Sequence, residues 1–459
     1  MTIKAVLDHI DNDLPNSLSR LLELLRIESI STDPAFKGQC SQAADWLVSD
    51  LESIGFQADK RKTPGHPMVV AHHKGGGTHL LFYGHYDVQP IDPIELWDSP
   101  PFLPTVENTN NGQVIRGRGS SDDKGQLMTF VEACRAWKSV HKELPAKVSI
   151  LFEGEEESGS PSLIPFLKAN ATELKSSIAL ICDTGLYDNN TPGIVTSLRG
   201  TVGIEIEIIG PNKDLHSGKY GGLSANPIRV LNKILAGLHD DNGQVTLTGF
   251  YDGVSEISDV LRKQWESLCF NEAKFLNDVG LSEPAGEKGR TALEMLWSRP
   301  TCDVNGISGG YQGEGFKTVI ASKASAKVSF RLVGKQDPQK VLSSFKEYVQ
   351  ESLPLDCSVN FLGEKGSKAT EMSLSHPAFE KARDALSQEW PKPAKFIGSG
   401  GSIPIAGYFK EILDMDSLLI GFGRHDDQIH SPNEKYDLES FHKGIRSWAR
   451  ILNEFADLK

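Results

Sequence analysis

Three short apolar runs constrain this chain more than anything else in it: THLLFYGHYDV at 78–88, AKVSILFEGEEE at 146–157 and SSIALICDTG at 176–185. None alternates apolar with polar residues, as a half-wetted strand would, so each predicts a strand buried on both faces. Helical patterns separate them. SLSRLLELLRI at 17–27 sets leucines on one stripe. Ser121–Val140 repeats Leu127, Phe130, Val131, Cys134 and Trp137 at three-to-four spacing, and the stretch 438–458 does the same with Phe441, Ile445, Trp448, Ile451, Leu452 and Phe455. Strand–helix alternation of this kind predicts an α/β fold around a mixed, mostly parallel sheet.

The texture changes in the middle of the chain. TVGIEIEIIG, SAKVSFRLVG and DCSVNFLG alternate strictly, as half-exposed antiparallel strands do. A chain of 459 residues exceeds one ordinary core. The predicted organisation is a catalytic α/β domain over 1–198 and 373–459, interrupted by an inserted domain over 199–372.

Bulk properties narrow the partners. A formal charge of −13 argues against nucleic acid or an anionic membrane, both of which need clustered Lys and Arg. The acidic N-terminal stretch lacks the apolar segment of a secretory signal, and no apolar run is long enough to span a bilayer. Six cysteines are scattered with no CxxC, which reads as reduced core residues and a cytoplasmic protein.

The chemistry-bearing residues follow the apolar runs. His85 and Asp87 stand two apart at a strand end, so both side chains project to one side. A hydrogen-bonded strand cap explains such a pair; so does a metal-bound imidazole with the carboxylate that orients it. Ser121, Asp122 and Asp123 precede a helix, where capping by acidic residues is the plain reading and a hard-cation site the other. Glu155, Glu156 and Glu157 make either a solvated turn or a division of labour, one glutamate on metal and one as general base. Asp183 opens a loop after an apolar strand. His430 lies in the polar loop FGRHDDQIHSPNE before the last helix. Each has a structural explanation alone. Together they make a His/Asp/Glu/Asp/His donor set without thiolates, the set of a hydrolytic site for two Zn²⁺ or Mn²⁺ ions.

GHYDVQP, GRGSSDDKG, EEESGS, CDTG, LRG, DLHSG, SFRLV, GGSIP and HSPNE occur here in the order found in the M20 metallopeptidases, which this chain resembles. Within that family it is most similar to the carnosinase-like and cytosolic nonspecific dipeptidase branch. The resemblance implies that His85 and Asp183 bind one ion, Glu157 and His430 the other, and Asp122 both. It makes Glu156 the general base and Asp87 the partner of His85, taking the two glutamates before Ser158 as base and ligand. Asp183 fits the dipeptidase side, since the glutamate-releasing carboxypeptidases of the family tend to have Glu there. The resemblance further implies a cis peptide between Asp122 and Asp123, and an inserted α+β domain acting as lid and dimerisation unit. His216 is then an oxyanion donor, reaching the partner subunit's site in a homodimer. Arg331 becomes the fork for the substrate's free carboxylate, and Ser402 of the GSGGS loop a further contact. The implied reaction is hydrolysis of a small peptide; an N-acyl-amino-acid deacylase or amidase using the same metals is the alternative.

Overall fold

The computed structural model describes residues 2–458, which divide into two compact units. Among the described residues one comprises 2–196, 372–397 and 408–458; the other comprises 197–371 and 398–407.

The first unit is built on a mixed sheet with strand order Gln57–Arg61, Met68–His73, Lys147–Glu153, His79–His85, Ile178–Ile181, Ser417–Ile420, Gly193–Leu198. Its centre is parallel: His79–His85 runs alongside both Lys147–Glu153 and Ile178–Ile181, and Ser417–Ile420 alongside Ile178–Ile181. The outer pairings are antiparallel. These central strands are buried almost residue for residue, so their sequences lack a polar phase. Parallel alignment has a second effect: the C-terminal ends of the central strands lie at one edge, where ligands bind in open α/β sheets. His85, the 155–157 glutamates and Asp183 all begin at that edge.

Helices Ile3–Leu25, Lys124–His141 and Leu438–Phe455 pack on one another. The first starts well before the 17–27 stripe. Pro15 lies inside it and hides the pattern, yet Val6, Leu7 and Ile10 continue the buried face on its N-terminal side. The Leu438–Phe455 helix buries Phe441, Ile445, Trp448, Ile451, Leu452 and Phe455. Trp448 meets Phe82 and Phe130 edge-on, with ring centroids 5.7 and 5.5 Å apart, and so joins two helices to the central strand. No helix among the described residues is long and apolar enough to cross a membrane. All six cysteines are free; four are buried, but Cys269 is exposed and Cys357 partly so, because the short segments that carry them lie at the surface.

The second unit has a four-stranded antiparallel sheet in the order Thr301–Gly309, Lys323–Leu332, Gly200–Ile209, Ser358–Ser367. Gly200–Ile209 alternates buried and half-buried residues along its whole length. Ile204, Ile206, Ile208, Val328 and Phe330 form its core with Leu231 and Ile234 of helix Pro227–Ala236 and Phe345 and Val349 of helix Pro338–Glu351. Three further helices, Asp259–Glu266, Glu272–Asn277 and Ala292–Trp297, occupy a stretch in which the sequence shows no clear period.

Replacing Trp448 by Ala should destabilise the first unit by about 3–5 kcal/mol, the usual range for removing a fully buried large aromatic. The shift of the corresponding urea-unfolding transition measures it.

Candidate metal centre

His85 closes its strand beside Gly84, and the glycine is a packing requirement. A Cβ there would sit 2.9 Å from both Asp123 Oδ2 and Leu127 Cβ. The space admits the Asp123 carboxylate, which accepts the His85 backbone N–H at 3.0 Å. The Asp122–Asp123 peptide is cis. Neither Asp122 nor Asp123 caps the following helix with its side chain; the acidic pair serves the site, and Ser121 Oγ donates to Asp427 at 2.7 Å.

Around Asp122 the donors converge in two groups. His85 Nε2 is 3.1 Å from Asp122 Oδ1 and 4.0 Å from Asp183 Oδ1. His430 Nε2 is 2.9 Å from Asp122 Oδ2 and 3.3 Å from Glu157 Oε2. Within each triad, His85/Asp122/Asp183 and Asp122/Glu157/His430, the ligand atoms lie within 4.8 Å of one another. Asp122 belongs to both, one oxygen towards each. Glu157 is further held by Gln89, whose amide donates to Oε2 at 2.6 Å, while its buried Oε1 has no hydrogen-bond partner.

The supports of these ligands are as definite as the ligands themselves. His85 Nδ1 lies 3.1 Å from the Asp87 carbonyl oxygen and 3.5 Å from its carboxylate. A proton held there leaves the Nε2 lone pair facing Asp122. The Asp87 carboxylate accepts the backbone N–H groups of Glu156 and Glu157 at 3.2 and 3.0 Å, fixing the turn that carries both. Glu155 is occupied elsewhere: its two oxygens accept the backbone N–H groups of His66 and Ser162 at 2.8 and 3.0 Å. Only Glu156 and Glu157 of the triple glutamate remain for the site.

Electrostatics describe a place that wants positive charge. Burial alone would push the His85 imidazole down, but its hydrogen bonds to Asp122 and Asp87 and the field of Asp123 and Asp183 carry it well above the ordinary histidine value. Hydrogen bonds to Asp122 and Glu157 lift His430 to about 10. Burial raises Asp183, and the neighbouring carboxylates Asp122, Glu156 and Glu157 add to that effect. Burial, opposed by His85 and reinforced by Glu157, Asp87 and Asp122, brings Glu156 to about 7. Crowded carboxylates that hold protons and imidazoles that become cations are what a divalent ion would replace, and O/N donors without thiolate suit such an ion. A third acidic group, Asp426/Asp427/Asp437, has a different character: Lys435 Nζ donates to all three carboxylates at 2.6–2.8 Å.

Sequence reasoning passed over the residue that organises this centre. Glu434 is fully buried and accepts from Arg118 Nη1 (2.8 Å) and from the backbone N–H groups of Gly119 (2.9 Å), Ser121 (2.9 Å) and Asp122 (3.0 Å). Arg118 also donates to the Pro90 carbonyl. One ion pair thus joins the loops bearing Asp87, Asp122 and His430. Asp427, on the other flank of His430, takes Ser121 Oγ. The signal was present in HSPNE, whose glutamate follows His430 by four residues, but a buried carboxylate inside a polar loop cannot be told from a solvated one by pattern alone.

The remaining expected site residues lie in the second unit. Arg331, on Lys323–Leu332, donates through Nη1 to Ser402 Oγ at 3.2 Å. His216 is exposed, and its Nδ1 accepts the Gly218 backbone N–H at 3.0 Å. In the neutral ring the proton is therefore on Nε2, as a donor.

Comparison with known proteins identifies the family. The model of peptidase family M20/M25/M40 matches residues 81–454. The chain is 30% identical to the Cys-Gly metallodipeptidase dug1 of Schizosaccharomyces pombe, over 100% of this chain and 99% of the relative. Among solved structures it resembles the dipeptidase Dug1p of Saccharomyces cerevisiae (TM-score 0.83, 27% identity, 99% and 98% of the two chains covered). It also resembles the M20 metallo-carboxypeptidase Sso-CP2 of Sulfolobus solfataricus (TM-score 0.84, 31% identity, 96% and 99% covered).

Glu434→Gln replaces one acceptor oxygen by an N–H₂ group facing backbone donors. It should weaken divalent-ion affinity about 10–100-fold, as loss of a group supporting metal ligands does. Titration of Mn²⁺ against a chelator of known affinity reads this directly.

Proposed function

The chain belongs to peptidase family M20/M25/M40, and from that premise we propose that it is a metallodipeptidase acting on small peptides with a free carboxylate. The observation that carries the reading is the pair of donor triads joined at Asp122. His85, Asp122 and Asp183 would hold one divalent ion and Asp122, Glu157 and His430 a second, Zn²⁺ or Mn²⁺. Three carboxylates and two neutral imidazoles balance only part of the charge of two dications. When bound, the ions lower the pKa of water towards about 7 and polarise the scissile carbonyl.

Glu156 takes the proton as water oxygen bonds to the carbonyl carbon, and delivers it to the amine nitrogen as the C–N bond breaks. The Asp87 carboxylate keeps Glu156 and Glu157 in register through their backbone N–H groups. His216 presents its Nε2 proton to the developing oxyanion. The planar donors of Arg331 receive the substrate's carboxylate, with Ser402 Oγ accepting from the same guanidinium. The names of the relatives favour dipeptides over N-acyl amino acids. We place the enzyme in the cytoplasm, as a homodimer in which His216 serves the opposite subunit.

Chelation should abolish activity and Mn²⁺ or Zn²⁺ restore it; full turnover by metal-free protein would remove the mechanism. A panel of dipeptides, tripeptides and N-acyl amino acids tests the substrate class, with the dipeptides expected to be cleaved fastest.

Base and ligand separate by mutation. Glu156→Gln should retain metal and lose turnover by a factor of about 10² or more, whereas Glu157→Ala should lose metal content by elemental analysis. The reverse pattern would exchange the two roles.

The subunit assignment has its own measurement. Mixing inactive Glu156→Gln with inactive His216→Ala protein should restore part of the activity once subunits exchange. No recovery in demonstrably mixed dimers would place His216 in its own subunit's site or outside catalysis.

A further inference from the structure

The second unit brings two guanidinium groups near one another, Arg331 on Lys323–Leu332 and Arg199 just before Gly200–Ile209. Arg331 pairs with Thr201 across the ladder. Arg199 stands immediately before strand Gly200–Ile209, two residues from Thr201, and close enough to Arg331 for the two charges to repel. Both side chains are partly buried. Among the described residues neither forms an ion pair. Arg199 Nε donates to the Gly400 carbonyl at 3.0 Å, Nη1 lies 3.5 Å from the Met295 carbonyl, and the backbone N–H donates to Gly401 O at 3.1 Å.

Two partly buried cations side by side repel, and an unpaired charge taken from water is costly. This chain has 61 Asp and Glu against 48 Lys and Arg, yet Asp303, the acid whose charge reaches Arg199, forms no ion pair with either arginine. Burial and the neighbouring Arg331 bring the Arg199 guanidinium down to about 10, with Asp303 opposing weakly. Gly400 packs against the guanidinium, where a Cβ would lie 3.0 Å from Nη2, and that nitrogen has no hydrogen-bond partner among the described residues. A cation pair with no salt-bridged anion is suited to receive one from outside.

We propose that Arg199 is a second specificity-determining cation, which with Arg331 forms a two-guanidinium receptor for the terminal carboxylate of the substrate. The inference rests on the assignment of Arg331 to that carboxylate. The competing role for Arg199 is mechanical: it staples the 399–402 loop to the end of helix Ala292–Trp297 through two carbonyls. A staple affects every substrate alike. A receptor affects the charged ones.

The test is kcat/KM of the metal-loaded enzyme for Ala-Gly and for Ala-Gly amide, which differ only in the terminal charge. Arg199→Gln removes the charge and keeps an N–H₂ that can reach a carbonyl. Its preference for the acid over the amide should fall about tenfold or more through KM, the scale of one charge-assisted hydrogen bond. Arg199→Lys keeps the charge and should retain the preference within a few-fold. In the Arg199→Gln/Arg331→Gln double variant the loss should be smaller than the product of the single losses, since both groups address one anion. Parallel loss on both substrates, or no loss, would overturn the inference. So would a folded Arg199→Lys that loses the preference as fully as a neutral residue, and that variant decides the matter where Arg199→Gln does not fold. Arg331→Gln separates the premise from the inference. If it leaves the preference intact, the Arg331 assignment fails; if it collapses the preference while Arg199→Gln does not, only the role of Arg199 fails.

Discussion

One buried ion pair holds the catalytic geometry together. Glu434 and Arg118 are removed from solvent, and such a pair is stable only when its remaining donors and acceptors are satisfied. Here the functional loops satisfy the carboxylate in full and the guanidinium in part: the N–H groups of Gly119, Ser121 and Asp122 point into Glu434 and the Pro90 carbonyl receives Arg118 Nη2, while Arg118 Nε has no partner. Asp122 is consequently aimed by its own backbone. Its two oxygens can face two histidines from opposite ends of the chain because neither oxygen is needed to anchor the turn.

The parallel centre of the sheet supplies the rest. It delivers His85, Glu157 and Asp183 to one edge from three strands, while the 422–434 loop brings His430 after the fourth central strand. Lys435 then neutralises the acids beside that loop, with Arg424 bound to Asp437 and Glu439. The division between the two units is also one of electrostatic character. In the proposed function the first supplies carboxylates that would hold cations, and the second arginines that would receive a carboxylate.

Much of this was readable from the residues. Strands buried on both faces betray themselves as apolar runs, and the alternating strands of the second unit mark its sheet equally well. The converging ligands were legible because their types and order were informative even where each alone was ambiguous. Other features left no local trace. Pro15 interrupts the propensity of the first helix although the buried stripe runs through it. The helices over 259–297 are short and lack a sustained period. Glu155 and Glu434 are spelled like solvated acids, and only the N–H groups that meet their oxygens, from residues distant in sequence, distinguish them. Arg199 was visible only within the triplet LRG; that it forms no ion pair is something no sequence displays.

The two imidazoles that face Asp122 differ sharply in their access to water. His85 is 1% exposed and His430 53%, the latter on a backbone with φ of +62°. The centre therefore has an inner and an outer half sharing one carboxylate. Were two ions held as proposed, the outer one would meet the medium through His430, and the inner one, against His85, would leave only past Asp122; such a site would have memory, its inner ion outlasting changes in supply.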